Sequence, residues 1–145
     1  MDVPIANLMG VHQIHSADVI TLKTANQERP KADALVTATP GIALSVLSAD
    51  CQPVLFADMQ AGVIGAAHAG WRGVLDGVLA QTVEAMIALG ATRANIHAAI
   101  GPCIGQRAYE VGPEFMDSFM DENPENARFF AGGEGDRLHF DLPAF

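Results

Sequence analysis

The chain has 145 residues, half of them hydrophobic and only 17% charged, a composition that excludes intrinsic disorder. Eight Lys and Arg stand against seventeen Asp and Glu, a formal net charge of −9, which argues against nucleic acid or an anionic membrane as a partner because both need clustered cations. No apolar run reaches the length of about eighteen residues that spans a membrane. The opening MDVPIANLMGV has neither the basic flank nor the long apolar stretch of a secretory signal, and two cysteines are too few for a disulfide scaffold. The expectation is one cytoplasmic domain over residues 1–145, in a reducing setting.

Residues 1–31 are mixed and mostly polar, with Val19–Leu22 as a short strand candidate and 27–31 as a turn around Pro30. Four more strand candidates follow at Ala34–Thr37, 42–47, 53–57 and 62–67. They are nearly continuous in apolar residues, which suits strands buried on both faces. Trp71, Val74, Leu75, Val78, Leu79, Val83, Met86 and Ile87 then recur at three and four, predicting one long helix that Gly90 ends in a left-handed conformation. Residues 96–100 read as another buried strand, stopped by Gly101 and Pro102. Pro113 opens a second helix whose apolar side is Phe115, Met116, Phe119 and Met120. Residues 122–134 read as a polar surface excursion and 138–142 as a last strand, with 140–145 resembling the start of a further unit. The pattern is α+β, with strands outnumbering helices.

Reactive side chains gather beside glycines and strand ends in three places: residues 13–16, 49–53 and 67–73. Strand ends that meet helix starts are where such folds place binding groups. His15, Cys51 and His68 supply two imidazoles and one thiolate, a mixed N/S set matched to Zn²⁺, with Cu²⁺ as the alternative occupant. Three protein ligands leave a fourth position for water or substrate, and a bound Zn²⁺ lowers the pKa of water toward neutrality. Asp50, beside Cys51, either orients a ring N–H, moves a proton or is a turn residue. Arg72 sits at a helix start, where the dipole disfavours a cation, and so points to an anion nearby or to an ion pair with Asp50 or Asp76. Cys103, between Pro102 and Ile104, reads as an inert turn residue.

The strings QIHSADV, ADALVTATPGIALSVLSADCQPVLF, GAAHAGWRGVLDGV and AAIGPCIGQRAYEVG resemble, in order, the signature blocks of one family. It is the multicopper polyphenol oxidase or laccase-domain family, also described as purine nucleoside phosphorylases and including the bacterial peptidoglycan editing factor. The resemblance implies an αβ sandwich with a mixed β-sheet, and a zinc site of His15, Cys51 and His68 that also carries catalysis. It implies phosphorolysis of adenosine, inosine and guanosine, cleavage of methylthioadenosine, and deamination of adenosine. Arg72 and Arg107 are then the candidates for binding phosphate or another substrate anion. Family members extend further at both ends, so the chain reads as incomplete at its N- and C-terminal segments.

Three alternatives stand beside the phosphorylase reading. An amidase acting on muropeptide precursors would use Cys51 as nucleophile or the metal as Lewis acid. A copper-dependent polyphenol oxidase would need trinuclear and blue-copper centres, for which five histidines (His12, His15, His68, His97 and His139) with no H-x-H pair are too few. The third alternative is an inactive metal-binding remnant.

Overall fold

The structure, a computed structural model, describes residues 3–25 and 28–145. Gln27, which opens the turn expected over 27–31, lies outside the described residues. Residues 28–30 are irregular, and Lys31 bridges to His12. Two compact units divide the chain, Met1–Pro102 and Cys103–Phe145.

The first unit is built on a mixed five-stranded sheet. Its strands are β2 (Val19–Leu22), β3 (Ala34–Thr37), β5 (Gln52–Asp58), β6 (Val63–Ala69) and β7 (His97–Ile100), in the order β2-β3-β6-β5-β7. β2 and β3 are parallel, and the other pairs are antiparallel. The interior strand β3 is buried at every position, as its run of apolar residues requires. Successive side chains leave it on opposite faces, so Ala34 and Val36 join one core while Leu35 joins another.

The first core is covered by α2 (Val78–Ala88), which packs on β6, β3 and β2 and contributes Val78 and Met86. Gly65 of β6 lets that helix come close, since a Cβ there would stand 3.1 Å from Met86 Sδ and 3.3 Å from Thr82 Cγ2. On the other face, Met9, Val11, Leu22, Ala32, Leu35 and Ile42 form a second cluster. Here β1 (Leu8–Met9) and β4 (Ala43–Leu44) pair in parallel as a two-stranded ribbon.

Several elements differ from expectation. The helix expected from Trp71 to Ile87 is two helices, α1 (Trp71–Leu75) and α2. They part at Asp76 and Gly77, where Gly77 takes φ 88°. The apolar stripe runs across the break, but only glycine enters that left-handed region at little cost. Gly90 (φ 103°) closes α2 as predicted. The strand expected over 42–47 shortens to β4, and β7 is exposed at all four positions instead of buried, because it is the edge of the sheet. No helix is long and apolar enough to cross a membrane among the described residues.

The second unit holds β8 (Glu110–Val111), α3 (Pro113–Glu122), β9 (Phe130–Gly132) and β10 (Leu138–Phe140), with the sheet order β8-β10-β9. Pro113 occupies the first turn of α3, where its missing N–H costs nothing. The excursion expected over 122–134 contains a 3₁₀ turn, Pro124–Phe129, followed by β9. Phe130 belongs to an aromatic cluster around the fully buried Phe119, 5.6 Å away between ring centroids. Phe140 (4.7 Å) and Phe145 (5.0 Å) pack on the same ring.

Candidate metal centre

His68 is the penultimate residue of β6, and its N–H donates to the Asp33 carbonyl (2.7 Å) just ahead of β3. The two residues therefore face one another across the β3–β6 pair, whose register begins at Ala34 and Ala67. Side chains opposite each other in a ladder share one face. In this pair Asp33 Oδ1 lies 2.9 Å from His68 Nδ1, with both side chains buried. A carboxylate there fixes the ring with its proton on Nδ1 and leaves Nε2 as the ligating nitrogen.

His15 reaches the same place from a loop. It is the one non-glycine residue with positive φ (61°) among the described residues. The second oxygen of Asp33 holds that conformation: Oδ2 accepts from the N–H of Ile14 (3.1 Å), the N–H of Ser16 (2.6 Å) and the Ser16 hydroxyl (3.1 Å). Burial alone would raise the Asp33 pKa. The hydrogen bonds from Ser16, His68, Ile14 and His15 outweigh it and keep the carboxyl below its ordinary 3.8.

Cys51 arrives at the start of β5, in a bend where the Ser48 hydroxyl donates to its carbonyl. Gln13 joins this approach to the His15 loop: its Nε2 donates to Leu47 O (2.7 Å) and its Oε1 accepts from Leu47 N–H (2.8 Å). The result is Cys51 Sγ 3.9 Å from His15 Nε2, and His15 and His68 rings edge to face at 5.0 Å. One donor atom from each of His15, Cys51 and His68 lies within 4.8 Å of the others. Ligands of a tetrahedral zinc ion at 2.0–2.3 Å stand roughly 3.3–3.7 Å apart, so small side-chain rotations close the set on an ion.

Two glycines make room for this convergence. A Cβ on Gly70 would meet His15 Cδ2 at 2.8 Å and Cys51 Sγ at 3.1 Å. A Cβ on Gly73, in α1, would meet the Ser16 carbonyl oxygen at 2.9 Å. The spacing of the HAGWRG string thus has a steric reason: its first glycine clears the ligands and its second clears the loop that carries one of them.

The remaining candidates are exposed side chains. Arg72 is exposed on α1 with its guanidinium 5.1 Å from the Trp71 ring centroid, and the described ion pairs include neither Asp50 nor Asp76 with it. Arg107 is exposed in the 3₁₀ turn Gln106–Ala108 of the second unit. Asp50 is exposed, and the carboxylate that orients a ligand ring is Asp33. Asp33 escaped the sequence reading because its short Lys-Ala-Asp-Ala context looks like a strand entry. The signal available was its place in the same string as Cys51.

The family model described as multi-copper polyphenol oxidoreductase laccase matches residues 1–145. Two relatives, each named purine nucleoside phosphorylase, are similar to the chain. One, from Deinococcus radiodurans, is 42% identical over 91% of this chain and 50% of its own length. The other, from Streptomyces griseus, is 50% identical over 77% of this chain and 46% of its own. A crystal structure of a Neisseria meningitidis protein superposes with a TM-score of 0.84 at 39% identity, covering 94% of this chain and 55% of that one. The chain therefore spans about half the length of the curated relatives it matches. With a match along all its residues, the chain belongs to the multi-copper polyphenol oxidoreductase laccase family.

Proposed function

We propose that the chain carries the metal site of a zinc-dependent purine nucleoside phosphorylase, with adenosine deamination as a second activity. The observation that supports this most is the convergence of His15, Cys51 and His68 around one point, with Asp33 behind the most buried of them. The names of the relatives support the phosphorylase class. The donor set of two imidazoles and one thiolate suits Zn²⁺. Cu²⁺ in the same place is the outcome that metal analysis would distinguish. His15, Cys51 and His68 form the single such group among the described residues, which is too few ligands for a multicopper cluster.

In this reading His15 Nε2, Cys51 Sγ and His68 Nε2 hold the ion, which when bound supplies Lewis acidity and lowers the pKa of water. Cys51 gives up its proton to act as a ligand. Phosphorolysis breaks the bond from C1′ to the purine nitrogen and forms one from C1′ to a phosphate oxygen, and the departing base takes a proton. Arg72, in the same unit as the three metal ligands, is the residue proposed to hold the phosphate, by the planar fork of donors that a guanidinium offers an oxyanion. Substrates are purine nucleosides (adenosine, inosine, guanosine, methylthioadenosine), and the two thiols suit the cytoplasm.

The test is hypoxanthine release from inosine by the zinc-loaded protein, with and without phosphate. Phosphate-dependent release that disappears in Cys51→Ala supports the reading. No release, or release at the same rate without phosphate, overturns it. Conversion of adenosine to inosine without phosphate tests the deaminase activity separately.

A further inference from the structure

We propose that Asp33 is a positioning residue that couples two metal ligands, so that one carboxylate sets the affinity of the site through His68 and His15 together. This rests on the reading of His15, Cys51 and His68 as a metal centre.

The geometry divides the carboxylate cleanly. Oδ1 takes His68 Nδ1, and Oδ2 takes the two N–H groups that flank His15 together with the Ser16 hydroxyl. Each of these contacts is a donor facing a carboxylate oxygen. His15 needs this support because its backbone sits in the left-handed region, which a residue with a Cβ seldom adopts. Without the anion, the N–H groups of Ile14 and Ser16 lose the acceptor that makes the turn favourable. His15, exposed at the surface, would then leave the other two donors.

A neutral isostere exposes the coupling. Asn at position 33 has one carbonyl oxygen and one NH₂. Whichever way it turns, the NH₂ faces a donor: either the His68 ring N–H or the paired amides beside His15. Asp33→Asn thus keeps the volume of the side chain while releasing one ligand or the other. Removing a carboxylate partner of a ligating histidine typically costs 10–100-fold in metal affinity.

The experiment is a double-mutant cycle read by Zn²⁺ affinity, measured by competition with a chromophoric chelator. The four proteins are the wild type, Asp33→Asn, His15→Ala and the double variant. Thermal unfolding of the metal-free proteins runs alongside. Asp33→Asn is expected to weaken binding about 10–100-fold in the wild-type background. In the His15→Ala background the loss is expected to be several-fold smaller, because only the route through His68 remains.

Wild-type affinity in Asp33→Asn, or the same loss in both backgrounds, overturns the coupling. If Asp33→Asn does not fold, Ser16→Ala takes its place in the same cycle, since it removes one donor to Oδ2 and leaves the His68 bond intact. It is expected to weaken binding in the wild type and not in His15→Ala, and equal effects overturn the proposal. A wild-type chain that binds no Zn²⁺ would overturn the metal reading itself, an outcome distinct from equal affinities among the variants.

Discussion

Gly70 and His15 are in steric opposition: a Cβ on the first would lie 2.8 Å from Cδ2 of the second. The backbone of Gly70 (φ −74°, ψ 162°) is open to any residue, so space alone demands glycine here. Gly70→Ala should leave the fold nearly as stable, because the His15 ring can swing outward into solvent. The cost should fall on the metal, with Zn²⁺ affinity lowered roughly tenfold or more, within the 1–3 kcal/mol typical of overpacking. Titration of Zn²⁺ into the variant, beside a thermal melt, checks both halves of the expectation.

Gly73→Ala separates two opposed effects. Alanine inside a helix is favoured over glycine by about 1 kcal/mol. A Cβ at 2.9 Å from the Ser16 carbonyl oxygen overpacks against backbone, which yields less readily than a side chain, at about 1–3 kcal/mol. The second effect should win. Chemical denaturation should show net destabilisation of up to about 2 kcal/mol, and a variant more stable than the wild type would mean that the Ser16 loop gives way freely.

What the sequence made legible follows from local physics. β2 and β3 stand where the apolar runs place them, and Pro113 and Gly90 mark helix ends through their own backbone preferences. The break at Gly77 was hidden because Val74, Leu75, Val78 and Leu79 keep the helical stripe on both sides of it. β1 and β4 are two residues each and exist only because they meet in space, so no periodicity announces them. At the site, His15, Cys51 and His68 were readable as donor types beside glycines. Asp33 was not, since its partner His68 is 35 residues away and the link is a strand register. Asp50 neighbours Cys51 in the sequence, but the bend they share leaves Asp50 exposed to solvent.

Asp58 gives a pH expectation outside the metal site. Its Oδ1 accepts from the N–H of Ala61 (3.0 Å) and of Gln60 (2.9 Å), and its Oδ2 from Thr92 (2.9 Å), joining the β5–β6 turn to the segment after α2. The bonds from Ala61 and Thr92 lower its pKa most, with smaller help from Gln60 and His97, against the opposing effect of burial. A carboxyl depressed in the folded state contributes stability that is fully present above the unfolded value of 3.8 and is lost as pH falls through the folded value. Asp58→Asn should therefore be less stable than the wild type near neutrality, with the gap shrinking below pH 3.8. An NMR titration that placed the Asp58 carboxyl at or above 3.8 would contradict this.

Phe119 anchors the second unit, touching the rings of Phe115 (5.1 Å), Phe130, Phe140 and Phe145. Phe119→Ala should destabilise that unit by about 3–5 kcal/mol, as loss of a fully buried ring does. Phe119→Leu should recover much of the loss. Hydrogen exchange at α3 and β10 measures the effect where it occurs.

The central claim is that His15, Cys51 and His68 bind one metal ion between them. Co²⁺ substitution tests it most directly, because a coordinated thiolate adds a charge-transfer absorption that nitrogen ligands do not. One equivalent of Co²⁺ should develop that absorption in the wild type and in Cys103→Ala. Cys51→Ser should lose it, and His15→Ala and His68→Ala should bind more weakly. Absence of stoichiometric binding, or a thiolate band that survives Cys51→Ser, would contradict the assignment.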